Sequence, residues 1–253
     1  MYSEIIFNAF INGLLIAGFT AIGSLVALLG VGLPRWGLDF ALGFASGIMI
    51  VASFTSLIIP AFEKGYYIET GLGIGLGIST ILLLDMFIPH EHFVSGYEGP
   101  DHLRKRLGKA LLIAIAIVIH NIPEGLAVGV ATVYSRDLGF LTALAIGIQD
   151  VPEGAAVALP LAILWRGRLK GFALGVLSGL VETVSSVVGA AVFSYSDNIL
   201  GVGMGFSAGA MTYIVVEEVL PEILHEKSLY RKIATIGFFT GFYTMLYLDL
   251  LLG

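Results

Sequence analysis

Long apolar runs, separated by short polar or charged clusters, set the layout of this chain. Eight runs are long enough to cross a membrane, at about 20 residues each, and lie near 5–30, 37–62, 69–88, 109–133, 138–164, 170–194, 199–225 and 229–252. The breaks fall at clusters such as Glu63-Lys64-Gly65, Ser135-Arg136-Asp137 and Ser196-Asp197-Asn198. Helices are the expected form, because a lone segment in lipid satisfies its backbone only that way. A barrel would need short alternating strands, and the pattern has none. The sequence therefore predicts an all-α membrane protein of eight transmembrane helices. Its one long connection runs from His90 to Gly108, and residues 1–253 are expected to form a single transmembrane domain without a soluble module.

Composition agrees: 57% of the residues are hydrophobic and only 13% charged, against roughly 25% charged in soluble domains. With no cysteine, disulfides and thiolate metal sites are excluded. The first basic residue is Arg35 and the first apolar run exceeds a signal peptide in length, so that run reads as an uncleaved helix. All Lys and Arg except Lys64 and Arg136 fall at alternate connections. The positive-inside rule then places those connections in the cytoplasm and both termini on the extracytoplasmic side. A multi-pass protein of the inner (plasma) membrane is expected, with the lipid bilayer as a partner and nucleic acid as none.

Charge balance turns attention to chemistry. Six acids lie at membrane depth, Glu124, Asp150, Glu153, Glu182, Glu217 and Glu218, and the other 13 acids match the 13 Lys and Arg, leaving the net −6. Buried carboxylates without basic partners call for protons, water or bound cations.

Three of these acids belong to two matching hexads, His120-Asn121-Ile122-Pro123-Glu124-Gly125 and Gln149-Asp150-Val151-Pro152-Glu153-Gly154, which start 29 residues apart. Spacing i, i+4 puts His120 and Glu124 on one helix face, and likewise Gln149 and Glu153. Asn121 and Asp150 lie about 100° round, near enough to serve a neighbouring site that shares the glutamates. Each proline frees the carbonyl four residues before it. Antiparallel neighbours would bring the hexads face to face around a small cation. Imidazole plus carboxylate suits Zn²⁺, Fe²⁺, Mn²⁺ or Co²⁺, while Cu⁺ prefers thiolates.

Other candidates have plainer alternatives. Glu182 reads either as a ligand or as a helix–helix hydrogen bonder. Glu217 and Glu218 either line a route or snorkel to water. His90 and His92 are either metal contacts of the long loop or solvated histidines. Met49 by itself reads as core packing. Asp39 and Asp85, near span ends, read as interfacial.

The hexads, continued by Leu126-Ala127-Val128-Gly129-Val130 and Ala155-Ala156-Val157-Ala158-Leu159, resemble helices four and five of the ZIP (Zrt/Irt-like) divalent metal transporters, of the prokaryotic GufA-like type. The resemblance extends over essentially the whole chain. It implies a 3+2+3 helix arrangement in which helices one to three and six to eight form an inverted repeat. It further implies a primary metal site at His120, Gln149 and Glu153 with Glu124 bridging or adjacent. Asn121, Asp150 and Glu182 would make a second site beside it, as in members with a binuclear centre, and Met49 would be an added ligand. Many family members carry histidine where this chain has Gln149.

The expected function is transport of a divalent transition metal into the cytoplasm, zinc first, with iron, manganese and cadmium as further substrates. A selective metal channel is the alternative mechanism. An intramembrane metalloenzyme is the alternative class, but the chain lacks a His-Glu-x-x-His pattern, and Pro89-His90-Glu91-His92 has the wrong spacing. No enzyme activity is expected, and a homodimer is left open.

Overall fold

A computed structural model describes residues 2–30, 34–91, 97–100, 109–221 and 228–252. Eight helical spans are long and apolar enough to cross a membrane. Their main α-helical segments are α1 (Tyr2–Leu29), α2 (Arg35–Ala52), α3 (Tyr67–Phe87), α4 (Lys109–Tyr134), α5 (Arg136–Leu164), α6 (Arg168–Phe193), α7 (Asp197–Ile214) and α8 (Ser228–Leu252). The spans start up to three residues before the hydrophobic runs, because polar residues serve as caps. Ser135 accepts from the Leu138 amide at 3.1 Å and Ser196 from the Ile199 amide at 3.4 Å, each satisfying one of the first-turn amides of α5 and α7. At the far end of the second span, Gly65 turns the chain with φ 84°, a conformation glycine adopts without steric cost.

Two of the spans are not α-helical throughout. The second span passes through a π-helical segment, π1 (Ser53–Ile58), before a last turn at Ile59–Glu63. The seventh passes through π2 (Val215–Val219). Pro60, just after π1, has no amide to give the preceding turn, and the Ser53 hydroxyl bonds back to the Met49 carbonyl at 2.8 Å. Both loosen the α-helical ladder and favour a wider turn. The end of the expected seventh helix, 222–227, lies outside the described residues.

Small residues decide which helices meet. A Cβ on Gly43 or Gly47 would collide with backbone of α8 at Ala234 and Phe238, and one on Gly73 or Gly77 with backbone of α7 at Val202 and Phe206. Thus α2 pairs with α8 and α3 with α7, while α1, α4, α5 and α6 pack together as a third group. The third group meets the others through α2–α5 and α4–α7 contacts. Between the hexads and the Lys64 end, a buried apolar cluster joins Met49, Leu57 and Ala61 to Ala127, Val128 and Val130 of α4 and to Leu200 and Met204 of α7.

At the opposite end, the long connection contains a minimal antiparallel pair, β1 (His90–Glu91) with β2 (Tyr97–Glu98), in register His90 to Glu98, and β1 packs on α4. Asp39 and Asp85, near span ends, are buried within the protein.

Candidate metal centre

The hexads meet inside the bundle. Carboxylate oxygens of Glu124, Asp150 and Glu153 come within 4.8 Å of one another. The Gln149 amide donates to Glu124 Oε1 at 2.6 Å, joining α5 to α4. Asn121 donates to the carbonyl of Ser178 at 3.1 Å and to Glu182 Oε1. The Thr20 hydroxyl lies 3.3 Å from Glu182 Oε2. Seven of the expected residues therefore share one region: His120, Asn121 and Glu124 on α4, Gln149, Asp150 and Glu153 on α5, and Glu182 on α6.

The glycines closing the hexads allow this. A Cβ on Gly125 would lie 2.8 Å from Cα of Glu182, so α4 rests directly on α6 at the residue it needs. A Cβ on Gly154 would meet the Thr20 carbonyl of α1 in the same way. Each hexad thus contributes ligand chemistry on one face and a flat packing surface on another.

Electrostatically the region is acidic. Glu153 and Asp150 repel the Glu124 carboxylate, and Glu124 and Glu153 repel that of Glu182. Glu182 and Glu153 repel Asp150, and His120 attracts Glu153. No Lys or Arg stands beside these four among the described residues. Within the same set, Asn121 Oδ1, Glu124 Oε2, Gln149 Oε1 and both carboxylate oxygens of Asp150 are buried without a hydrogen-bond partner. An unsatisfied buried polar atom costs about 1–3 kcal/mol. Five together, all lone-pair donors, suit a cation.

Burial gives the site a direction. Asn121, Glu124, Gln149, Asp150 and Glu182 are buried, whereas His120 and Glu153 keep partial exposure. Those two lie nearest the hairpin end along α4 and α5. The apolar cluster covers the other side, toward Lys64 and Tyr134.

The remaining candidates divide. Met49 is buried in the apolar cluster with Ala127, Val128 and Ile146, one helical turn from the hexads. Glu217 is exposed in π2, outside the carboxylate group. His92 and the side chain of Glu218 lie outside the described residues. His90 is fully buried, which removes the solvated reading. Its Nδ1 lies 2.8 Å from the Ile88 carbonyl, and its Nε2 is 3.7 Å from Asp85 and 3.8 Å from Glu98. Asp85, His90 and Glu98 form a second group of metal-ligating type. The sequence reading missed Asp85 and Glu98; the five-residue step from Asp85 to His90 across Pro89 was the available signal, while Glu98 needed the hairpin.

The ZIP Zinc transporter family model matches residues 89–249. Zinc transporter ZIPB of Bordetella bronchiseptica is 38% identical over 249 residues, which cover 94% of this chain and 79% of that protein. Zinc transporter GufA of Myxococcus xanthus is 34% identical over 253 residues, covering 96% and 98%. Zinc transporter ZIP11 of Homo sapiens is 30% identical over 341 residues, covering 98% of each. A family match over more than half the chain, relatives aligned nearly end to end and paired hexads at one acidic centre lead to one conclusion: this multi-pass membrane protein belongs to the ZIP zinc transporter family, as a prokaryotic member.

Proposed function

We propose that this chain carries divalent zinc into the cytoplasm by alternating access at the hexad centre, as one transport unit spanning residues 1–253, with Fe²⁺, Mn²⁺ and Cd²⁺ as further substrates. The observation that carries the reading is the set of five buried oxygens without hydrogen-bond partners, in a group of carboxylates with no Lys or Arg beside them among the described residues. His120, Gln149, Glu153 and Glu124 hold the first ion, with Met49 at its edge. Asn121, Asp150 and Glu182 hold a second, and Glu124 and Glu153 are shared. Two divalent ions repel strongly at short range, and shared carboxylates offset that repulsion.

The distribution of basic residues orients the molecule, with the hairpin end in the cytoplasm and both termini outside, in the inner membrane of a prokaryotic cell. His120 and Glu153, which keep partial exposure, lie toward that end along their helices, and the apolar cluster lies on the other side, which supports an inward-open state. One sealed side favours alternating access over a channel. The Asp85–His90–Glu98 group then lies at the cytoplasmic mouth, a further contact for a departing ion, with Glu217, Glu218 and His92 as lesser ones. Helix pairing supports the 3+2+3 inverted repeat. Exchanging helices one to three with six to eight turns the α2–α8 pair into α7–α3 and π1 into π2. A homodimer remains compatible with the many exposed apolar side chains.

Uptake into proteoliposomes, measured for Zn²⁺, Fe²⁺, Mn²⁺ and Cd²⁺ with purified chain, tests the reading. Saturable zinc uptake above that of empty liposomes is expected. Its absence in correctly inserted protein would overturn the proposal.

A further inference from the structure

We infer that the end of the second span, from π1 to Lys64, is the outer gate of the route, and that Lys64 latches it to α4 through the ring of Tyr134. The inference rests on the transport reading and its orientation, and it names the element that must move.

Three observations meet on this segment. First, it is poorly anchored along its own axis. π1 replaces the α-helical ladder over Ser53–Ile58, and such π-helical turns inside helices occur frequently at functional sites. Pro60 then removes the amide that would have served the Ser56 carbonyl. The Ser56 hydroxyl itself is buried without a hydrogen-bond partner among the described residues.

Second, the segment covers the centre. Leu57 is 1% exposed and Ala61 is fully buried, both in the cluster with Ala127, Val128 and Val130 of α4 and Leu200 and Met204 of α7. An ion arriving from outside reaches Glu124 only after these side chains part. A plug built from Leu57, Ala61 and small α4 residues has no directional bonds, so it re-forms readily on closing.

Third, one polar contact crosses the seam at its outer rim. Lys64 Nζ stands 4.3 Å from the centroid of the Tyr134 ring. Lys64 ends the second span and Tyr134 is the last residue of α4, so the contact joins two helix groups at a rim where Glu63 and Tyr66 also stand near Tyr134. At an exposed position such a contact shifts an equilibrium by about two- to five-fold. That is strong enough to bias the closed state and weak enough to break in every cycle.

The chain has no cysteine, so a single reporter can be placed at Ala61 by Ala61→Cys and exposed to a membrane-impermeant methanethiosulfonate. The reagent is applied to full-length protein in proteoliposomes, from the side on which Ser196→Cys reacts. We expect slow labelling, accelerated about two- to five-fold by Lys64→Met. Tyr134→Leu should accelerate it equally, and the double variant no further, because both remove one contact. Unchanged labelling in Lys64→Met, or effects that multiply, would overturn the latch. Should Ala61→Cys fold poorly, Ala127→Cys on the facing wall gives the same readout. Labelling needs no metal. Protein that labels as expected but moves no zinc would sink the transport reading alone, and protein that transports zinc with unresponsive labelling would sink the gate alone.

Discussion

Gln149 Nε2 donates to Glu124 Oε1 at 2.6 Å, so each hexad holds the other's key residue in place. The donation also turns Gln149 Oε1 away from Glu124, into the group of buried oxygens without partners. Gln149→Ala should weaken metal binding roughly tenfold, since it removes one oxygen and frees a carboxylate from its tether. Calorimetric titration of zinc into purified protein measures this. An unaltered Kd would mean that Gln149 only braces the helices.

His120→Ala, Glu124→Ala and Glu153→Ala should each abolish zinc uptake while the protein still inserts. Removing one ligand leaves the remaining charges uncompensated in a low-dielectric site. Near-normal uptake by any of the three, at equal protein per liposome, would show that residue to be structural.

Asp150→Ala and Glu182→Ala should act differently. Glu182 is already held by Asn121 and Thr20, and both carboxylate oxygens of Asp150 are buried without a hydrogen-bond partner, available to the proposed second ion. Each substitution should lower the metal content toward one ion per chain and leave partial uptake. Elemental analysis of the purified variants decides the matter. A wild-type content of one ion, unchanged in both, would leave no place for a binuclear centre.

Much of this was legible in the sequence because lipid permits few solutions. Eight apolar runs became eight spans, and the i, i+4 spacing of His120 with Glu124 and Gln149 with Glu153 placed both pairs in the same region. Less legible were features set by neighbours rather than by local pattern. The π-helical turns leave no mark on hydrophobic periodicity, since Ser53–Ile58 reads as helix until Pro60 and the wall of α7 are considered. Asp85 looked interfacial because it ends an apolar run, yet a hairpin folding back over it buries it beside His90. That pairing depends on chain reversal between His90 and Glu98, which residue spacing does not specify.

Gly125 offers a test of how packing serves the site. A methyl there would press on backbone of α6 at Glu182, which cannot yield as a flexible side chain can. Gly125→Ala should destabilise the protein by about 1–3 kcal/mol, the usual range for overpacking. It should also lower the affinity for the second ion, because α6 carries Glu182. Thermal unfolding in detergent and zinc titration together check this. Full stability with full metal content would show that α4 and α6 have room to separate.

Proton competition provides the final test. A cation at the hexads, in the proposed reading, would be held by carboxylates and an imidazole, which bind metal only in their deprotonated forms. Any protons that Glu124, Asp150, Glu153, Glu182 or His120 carry must leave as zinc enters. The sign follows directly: zinc affinity should rise with pH wherever these groups titrate, and binding should release protons. Because the carboxylates repel one another electrostatically, the first zinc should discharge more protons than an isolated glutamate would. Titrating zinc in two buffers of different ionisation enthalpy counts the protons released. The Glu124→Gln variant should release fewer than the parent chain. Zinc binding that releases no protons and keeps one Kd from pH 5 to pH 8 would place the metal somewhere other than these carboxylates.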